Sequence, residues 1–302
     1  MNCPFLRDAH VRYCRSSSLR KMIVETPGTA AQDKCLDASF RECPAYRERP
    51  LEDAAGPPCP WLHQSLVQFC AAAPVRKLIP YSESPTSRCH NEGHRYCELY
   101  LSLAHAGAET RAAANVDGIY MPDWLHYSAN HMWLDPGADG SYHIGVDGFV
   151  MRVLGHVDRI SFATLSGVKR PAIVLTTGAV DVPLTFPNSM LITGTNVYLR
   201  ANPEKLNGDP YSAGWLFRGE DAPHGTRRLD TAAMSGTIHG DAVKPWLEQE
   251  VDRLSRFIHA RLPMPADGGQ FAEGVLAHLD RDSALQLVNE FFSPHVTWRN
   301  PE

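Results

Sequence analysis

All eight cysteines of this chain lie in its first 97 residues, at positions 3, 14, 35, 43, 59, 70, 89 and 97, and the remaining 205 residues contain none. Cysteines that merely fill a core would scatter along the whole chain, so this segregation divides it into regions of different construction. The cysteine region is itself a duplication. Cys3-Pro4-Phe5-Leu6 recurs as Cys59-Pro60-Trp61-Leu62, and Val11-Arg12-Tyr13-Cys14 recurs as Val67-Gln68-Phe69-Cys70. Leu19-Arg20-Lys21-Met22-Ile23 recurs as Val75-Arg76-Lys77-Leu78-Ile79, and Arg41-Glu42-Cys43 with Tyr46 recurs as Arg95-Tyr96-Cys97 with Tyr100. The spacing is C-x10-C-x20-C-x7-C in the first copy and C-x10-C-x18-C-x7-C in the second. Repetition at fixed spacing means that the four thiols of a copy act together. Arg47 to Pro58, rich in proline, glycine and charge, reads as the linker between copies.

In a reducing compartment a dense cysteine block points to metal or redox chemistry rather than structural disulfides. Cys3, Cys14, Cys35 and Cys43 in one copy, and Cys59, Cys70, Cys89 and Cys97 in the other, are therefore candidate ligands for an iron–sulfur cluster or zinc, with a redox dithiol or disulfide as the further alternative. Neither the C-x2-4-C knuckle of many zinc sites nor the C-x2-C run of common iron–sulfur proteins is present. His90 and His94 flank Cys89 and are either extra ligands or ordinary loop histidines. Pro4 and Pro60 each open an apolar run, and proline suits a first helical turn, so Pro4–Tyr13 and Pro60–Phe69 are predicted as short helices. That prediction carries a geometric objection, because at 1.5 Å per residue a C-x10-C helix holds its two thiols about 16 Å apart. One four-cysteine site per copy then needs a bend within the segment. The Arg-Lys pairs at 20/21 and 76/77 read as solvated element ends or as a docking patch.

From about Pro122 to Phe217 the chain changes character, with β-branched residues and frequent turn signals. Ser141–Val146 alternates like a strand after the Asp139-Gly140 turn, and Pro171–Thr177 and Met190–Arg200 also read as strands. Three segments carry a resemblance. Tyr127-Ser128-Ala129-Asn130-His131-Met132-Trp133 has a Y-x-x-x-H-x-W pattern. Gly145-Val146-Asp147-Gly148-Phe149 and Leu154-Gly155 follow, and the run from Asn202 to Phe217 reads N-P-E-K-L-N-G-D-P-Y-S-A-G-W-L-F. This third of the chain resembles the H protein of the glycine cleavage system. The resemblance implies that residues 118–220 form a lipoyl-type barrel-sandwich hybrid with a short helix near Asn202–Asn207; with the duplicated cysteine-rich helical region over 1–106 and a helical tail over 237–302, the expected class is α+β.

The family's working group is a lysine on a β-hairpin, in a pattern like E-S-V-K-A, that carries lipoate. Counting back without gaps from Asn202, with Pro187 and Asn196 in register, the matching segment is Thr176-Thr177-Gly178-Ala179-Val180. Ala179 therefore occupies the lysine position and Thr176 that of the acidic residue before it. A methyl group cannot form an amide with lipoate, so lipoate is not expected. Lys169 and Lys205 lie elsewhere in the pattern and read as surface lysines.

Beyond a polar connector at Gly219–Gly236, the residues Trp246, Leu247, Val251, Leu254, Ile258 and Leu262 have helical spacing, and Phe271 to Phe292 gives a second helical stretch. These read as a helical hairpin packed on the lipoyl-like domain, or else as a partner-binding face. A net charge of -5 speaks against nucleic acid as the main partner. No run approaches the roughly 18 apolar residues of a membrane span, and the first residues carry no apolar signal core, so a cytoplasmic location is expected. No phosphate-binding glycine loop, G-x-S-x-G elbow or H-E-x-x-H is present. The reading is an accessory or scaffold protein rather than an enzyme. It pairs a non-lipoylated H-protein-like domain with two four-cysteine metal sites, and serves electron transfer or complex assembly with protein partners. The alternatives are a lipoyl-dependent carrier of the glycine cleavage type and a thiol oxidoreductase.

Overall fold

The computed structural model describes residues 2–16, 23–24, 34–51, 56–75, 77–79, 88–104, 113–178, 180–221, 233–262 and 273–293. Contacts divide the chain into two compact units, Met1–His94 and Arg95–Glu302.

In the first unit the two apolar runs are strands, not helices. The strands β1 (Leu6–Cys14) and β3 (Leu62–Cys70) pair antiparallel along their whole length. Short outer strands, β2 (Ile23–Val24) and β4 (Lys77–Ile79), complete a four-stranded sheet in the order β2-β1-β3-β4. The proline signal has a different cause from the one expected. Leu6 N–H donates to the Cys3 carbonyl at 3.0 Å and Leu62 N–H to the Cys59 carbonyl at 2.9 Å. Pro4 and Pro60 thus occupy the second position of two four-residue turns, where a fixed φ is equally favoured. Val11 and Tyr13, and Val67 and Phe69, then recur with period two and suit a pleated surface. The partner each strand needs is supplied by the other copy. Short helical segments follow at Ala38–Glu42, Arg88–His90 and Glu92–Tyr96, with α1 at Pro44–Glu48.

The pairing has internal symmetry. His10 faces Leu66, its own counterpart 56 residues on, while Leu6 faces Cys70 and Cys14 faces Leu62. The duplication is therefore expressed as a pseudo-twofold sheet whose axis passes between His10 and Leu66. Beneath it the buried cluster is small: Phe40, Tyr46 and Cys59, with Cys35, Cys43, Trp61 and Leu62 packed against them.

The second unit begins with α2 (Glu98–Ala104) and the hairpin β5 (Ala113–Val116) and β6 (Ile119–Pro122). Next come β7 (His126–Tyr127), β8 (Met132–Pro136), β9 (Ser141–Val146), α3 (Gly148–Leu154), β10 (Arg159–Phe162), β11 (Gly167–Lys169), β12 (Ala172–Thr177), β13 (Val180–Thr185) and β14 (Met190–Thr195). The chain continues through α4 (Glu204–Gly208), β15 (Phe217–Glu220), α5 (Val243–His259) and α6 (Arg281–Phe291). A six-stranded sheet, β11-β14-β15-β9-β8-β7, and a three-stranded one, β10-β12-β13, share one core, and neither closes into a barrel among the described residues. Met190–Arg200, read as one strand, is β14 followed by a 3-10 turn at Val197–Arg200. Of the two expected tail helices, the first is α5, while the expected Phe271–Phe292 stretch is a 3-10 turn at Val275–His278 and then α6, with Phe271 outside the described residues. Leu247, Val251, Leu254 and Ile258 of α5 and Ala284, Leu287, Val288 and Phe291 of α6 are buried in that same core. No described helix is long and apolar enough to cross a membrane.

The signature residues of this unit are structural fasteners. Trp133 is fully buried, and its indole N–H donates to the carbonyls of Val146 at 2.9 Å and Pro210 at 3.1 Å. Gly145 lies under that ring, and a Cβ there would stand 2.5 Å from indole carbons. Gly145→Ala is expected to lower stability by about 2 kcal/mol through overpacking, read as a lower urea midpoint with unchanged slope. An unchanged midpoint would refute this account of the glycine.

Candidate functional site

The segment where the sequence resemblance places the carrier position is the β12–β13 hairpin. The strands pair from Ala172↔Thr185 to Thr177↔Val180, which leaves residues 178 and 179 as the connection. Ala179 itself lies outside the described residues. Its neighbours are held firmly. Gly178, at φ +53°, donates its N–H to Asp158 Oδ2 at 2.7 Å, and Asp158 N–H donates to the Thr176 carbonyl at 2.9 Å. Thr176 Oγ1 donates to Asp181 Oδ1 at 2.6 Å, and Arg159 approaches Asp181 at 3.6 Å. At its described positions the tip has acidic groups beside it and no amine. Lys169 at the end of β11 and Lys205 in α4 are exposed and belong to other elements.

Three residues before Asp158, Gly155 lines a cleft of about 610 Å³, whose lining also includes Tyr120, Trp124, Arg152, Asn207 and Tyr211. The Asn202–Phe217 motif builds this wall. Asn207 accepts from Val157 N–H at 3.0 Å and donates to the Val157 carbonyl at 3.2 Å. Asp209 Oδ1 accepts from the backbone N–H groups of Tyr211 and Ser212, each at 3.0 Å. Tyr211 accepts from Gly148 N–H and donates to the Tyr120 carbonyl, both at 2.7 Å. Burial, followed by the negative charge of Asp147, raises the Tyr211 phenol well above its ordinary range, so it is a neutral hydroxyl bridging two elements. Motif, cleft and hairpin are thus one mechanically connected structure.

Behind this lies a buried ionisable cluster. His131 is fully buried, with Nδ1 2.9 Å from Asp147 Oδ2 and Nε2 3.4 Å from Glu250 Oε2. Its ring stacks on Phe149 at 4.0 Å and Trp246 at 5.0 Å. Asp147 also caps α3 by accepting from Phe149 and Val150 N–H, both at 3.0 Å, and Arg253 pairs with Glu250 at 3.1 Å. Burial by itself lowers the His131 pKa, but the Asp147 carboxylate and then Glu250 outweigh it, and the net shift is upward from 6.5. A raised folded-state pKa contributes stability that is complete below about 6.5 and is lost as pH rises through the folded value. Urea stability is therefore expected to fall as pH rises from 6.5 into the alkaline range. His131→Gln should remove this slope, and an equal slope in that variant would refute the assignment. Glu250 was not singled out from sequence, yet it carries a signal: it falls on the buried stripe of α5 with Leu247, Val251 and Leu254.

The eight cysteines are all thiols, and all lie among the described residues. Cys3 and Cys14 bracket β1, whose eight steps alone span roughly 26 Å, so they do not share an ion and no bend brings them together. Cys59 and Cys70 bracket β3 in the same way. The structure instead brings Cys59 to Cys35 and Cys43: Cys59 N–H donates to the Cys35 carbonyl at 2.7 Å, and both partners pack on its buried cluster. In the counterpart, Cys3 N–H donates to the Cys89 carbonyl at 2.8 Å. Cys97 precedes α2 and accepts from Leu101 N–H at 2.9 Å. Among the described residues no three His, Cys, Asp or Glu side chains are already gathered as a metal-binding group. Of the loop histidines, His90 Nε2 contacts Gln68 at 2.5 Å and His94 Nδ1 the Asn91 carbonyl at 2.7 Å. Arg20, Lys21 and Arg76 of the basic pairs lie outside the described residues.

No family model matches the chain. It is similar to the glycine cleavage system H protein of Pseudoalteromonas atlantica, 30% identical over 124 residues, covering 39% of this chain and 95% of that protein. The H protein of Mycobacterium avium is 30% identical over 128 residues, covering 39% of this chain and 96% of that protein. That of Enterobacter sp. is 29% identical over 133 residues, covering 43% and 98%. Among solved structures, a glycine cleavage system H protein from Mycobacterium marinum aligns with TM-score 0.35 and 20% identity, over 43% of this chain and 98% of that one.

Proposed function

The chain belongs to the glycine cleavage system H protein family over about two fifths of its length, and from that premise we propose that its family domain serves as a protein-docking platform and not as a lipoyl carrier. The observation that carries the proposal is Ala179 in the two-residue connection of the β12–β13 hairpin, where the family has its attachment lysine. Attachment of lipoate is amide formation with a primary amine, and alanine offers only a methyl group. The residues present therefore do not fit the family's group, and no transfer step through lipoate is assigned. What the domain retains is the shape of a carrier: the braced hairpin, the adjoining cleft and the motif that connects them. A fold alone does not transmit activity, but a retained surface presents the same face to a partner protein that a carrier would.

The cysteine unit complements this role. Its buried cluster is small, and a bound metal supplies folding free energy that such a unit lacks. We assign it thiolate-bound zinc or an iron–sulfur cluster, so that the whole protein is an assembly or electron-transfer accessory. Intact mass of the full chain after co-expression with a lipoate ligase tests the platform reading. No added lipoyl group is expected, and a modified Lys169 or Lys205 would replace this reading with the carrier one. The visible spectrum and metal content of anaerobically purified protein test the second part. Brown colour supports a cluster and bound zinc a structural site, whereas absence of both would overturn it.

A further inference from the structure

The duplicated sheet exchanges its thiols between repeats. Cys59 opens the turn into β3, yet its backbone hydrogen bond and its buried contacts go to Cys35 and Cys43, which belong to the other repeat. Cys14 reaches the same end of the sheet. It pairs in register with Leu62, three residues past Cys59, and the next residue, Arg15, donates its N–H to the Trp61 carbonyl at 2.9 Å. The arrangement recurs across the pseudo-twofold axis. Cys3 N–H donates to the Cys89 carbonyl at 2.8 Å, Cys70 pairs in register with Leu6, and Ala71 N–H donates to the Phe5 carbonyl at 2.9 Å. Two independent instances of one pattern show that the exchange is a property of the fold.

We propose that Cys14, Cys35, Cys43 and Cys59 form one tetrathiolate site for a thiophilic divalent ion such as zinc, made from both repeats rather than from one. The assignment deepens the metal reading of this unit and rests on it. Four thiolates without a fixed water position match a closed, tetrahedral structural site. Cys59 is 5% exposed, while Cys14, Cys35 and Cys43 are partly accessible, so an ion can enter from one side. Phe40 and Tyr46 pack edge to face at 4.9 Å within the same cluster and close its inner side. On binding, each releases a proton to solvent as its sulfur joins the ion. The ion then ties the first repeat's Cys14, Cys35 and Cys43 to the second repeat's Cys59, locking the β1–β3 pairing. Single-copy sites, by contrast, would leave the two copies joined only by the strand ladder.

Zinc titration of the metal-free full chain, with bound zinc counted per chain, separates the possibilities. Cys43→Ser is expected to remove one equivalent. Adding Cys59→Ser should remove no more, because both residues serve one site, whereas adding Cys3→Ser should remove a further equivalent. The reverse order of effects would overturn the cross-repeat assignment while leaving the metal reading intact. A parent chain that takes up no zinc and holds no iron would end both. A second measurement needs no substitution: short-span thiol cross-linking of the metal-free parent with dibromobimane, followed by peptide mapping. Links between Cys35 and Cys59 and between Cys3 and Cys89 are expected, and links between Cys3 and Cys35 would refute the proposal.

Discussion

Ala179→Lys, co-expressed with a lipoate ligase, is expected to gain the mass of one lipoyl group on most of the protein, while the parent chain gains none. The argument is geometric. The β12–β13 hairpin has its full ladder from Ala172↔Thr185 to Thr177↔Val180. Its connection is anchored by the bond from Gly178 to Asp158, and Asp158 and Asp181 provide negative charge close to the position where the family has a glutamate. A lysine at 179 would directly follow the anchored Gly178, with Asp158 and Asp181 close by. Tandem mass spectrometry must place the group on residue 179. If the variant folds, as judged by its circular dichroism, and remains unmodified, then more than the amine has been lost from this hairpin.

Asp147→Ala is expected to destabilise the second unit by about 3–5 kcal/mol, the range for leaving one member of a buried charged pair unpartnered. That is a large fraction of the 5–15 kcal/mol that holds a typical domain. The loss has two sources. Asp147 Oδ2 is the Nδ1 partner of the fully buried His131, and Oδ1 caps the first turn of α3. The cap alone is worth about 1 kcal/mol, so Asp147→Asn, which keeps a capping oxygen but not the charge, should recover roughly that amount. Urea unfolding near pH 6, where the imidazolium is populated, measures both variants. A loss below about 1 kcal/mol for the alanine variant would show that the His131 cluster does not bear on stability.

Much of the second unit was legible because its signals are local. Ser141–Val146 alternates, Asp139-Gly140 precedes it as a turn, and the motif from Asn202 has side chains that bond to their own backbone neighbourhood, as Asp209 does with Tyr211 and Ser212. The alanine at 179 was legible too, since which residue stands there is a covalent fact. Glu250 was less so, because its partner His131 lies 119 residues away. Pattern reading finds the polar residue on an apolar stripe, but not the group it meets.

The sequence by itself determined the duplication, the eight thiols, the family motif and the missing lysine, because these depend only on which residues are present and at what spacing. Tertiary structure decided how the duplication is used. Pro4 and Pro60 fit both a first helical turn and the second position of a tight turn, so local propensity left the choice open. What settled it was the availability of the counterpart strand from the other copy: nine paired positions, related by a twofold axis through His10 and Leu66, satisfy a backbone that a lone strand would leave half unpaired. That pairing carries Cys14 and Cys3 to opposite ends of the sheet and brings Cys59 to Cys35. The cysteine spacing is repeated within each copy, but the neighbours each thiol acquires come from the other, because antiparallel pairing places the end of one repeat beside the beginning of its twin.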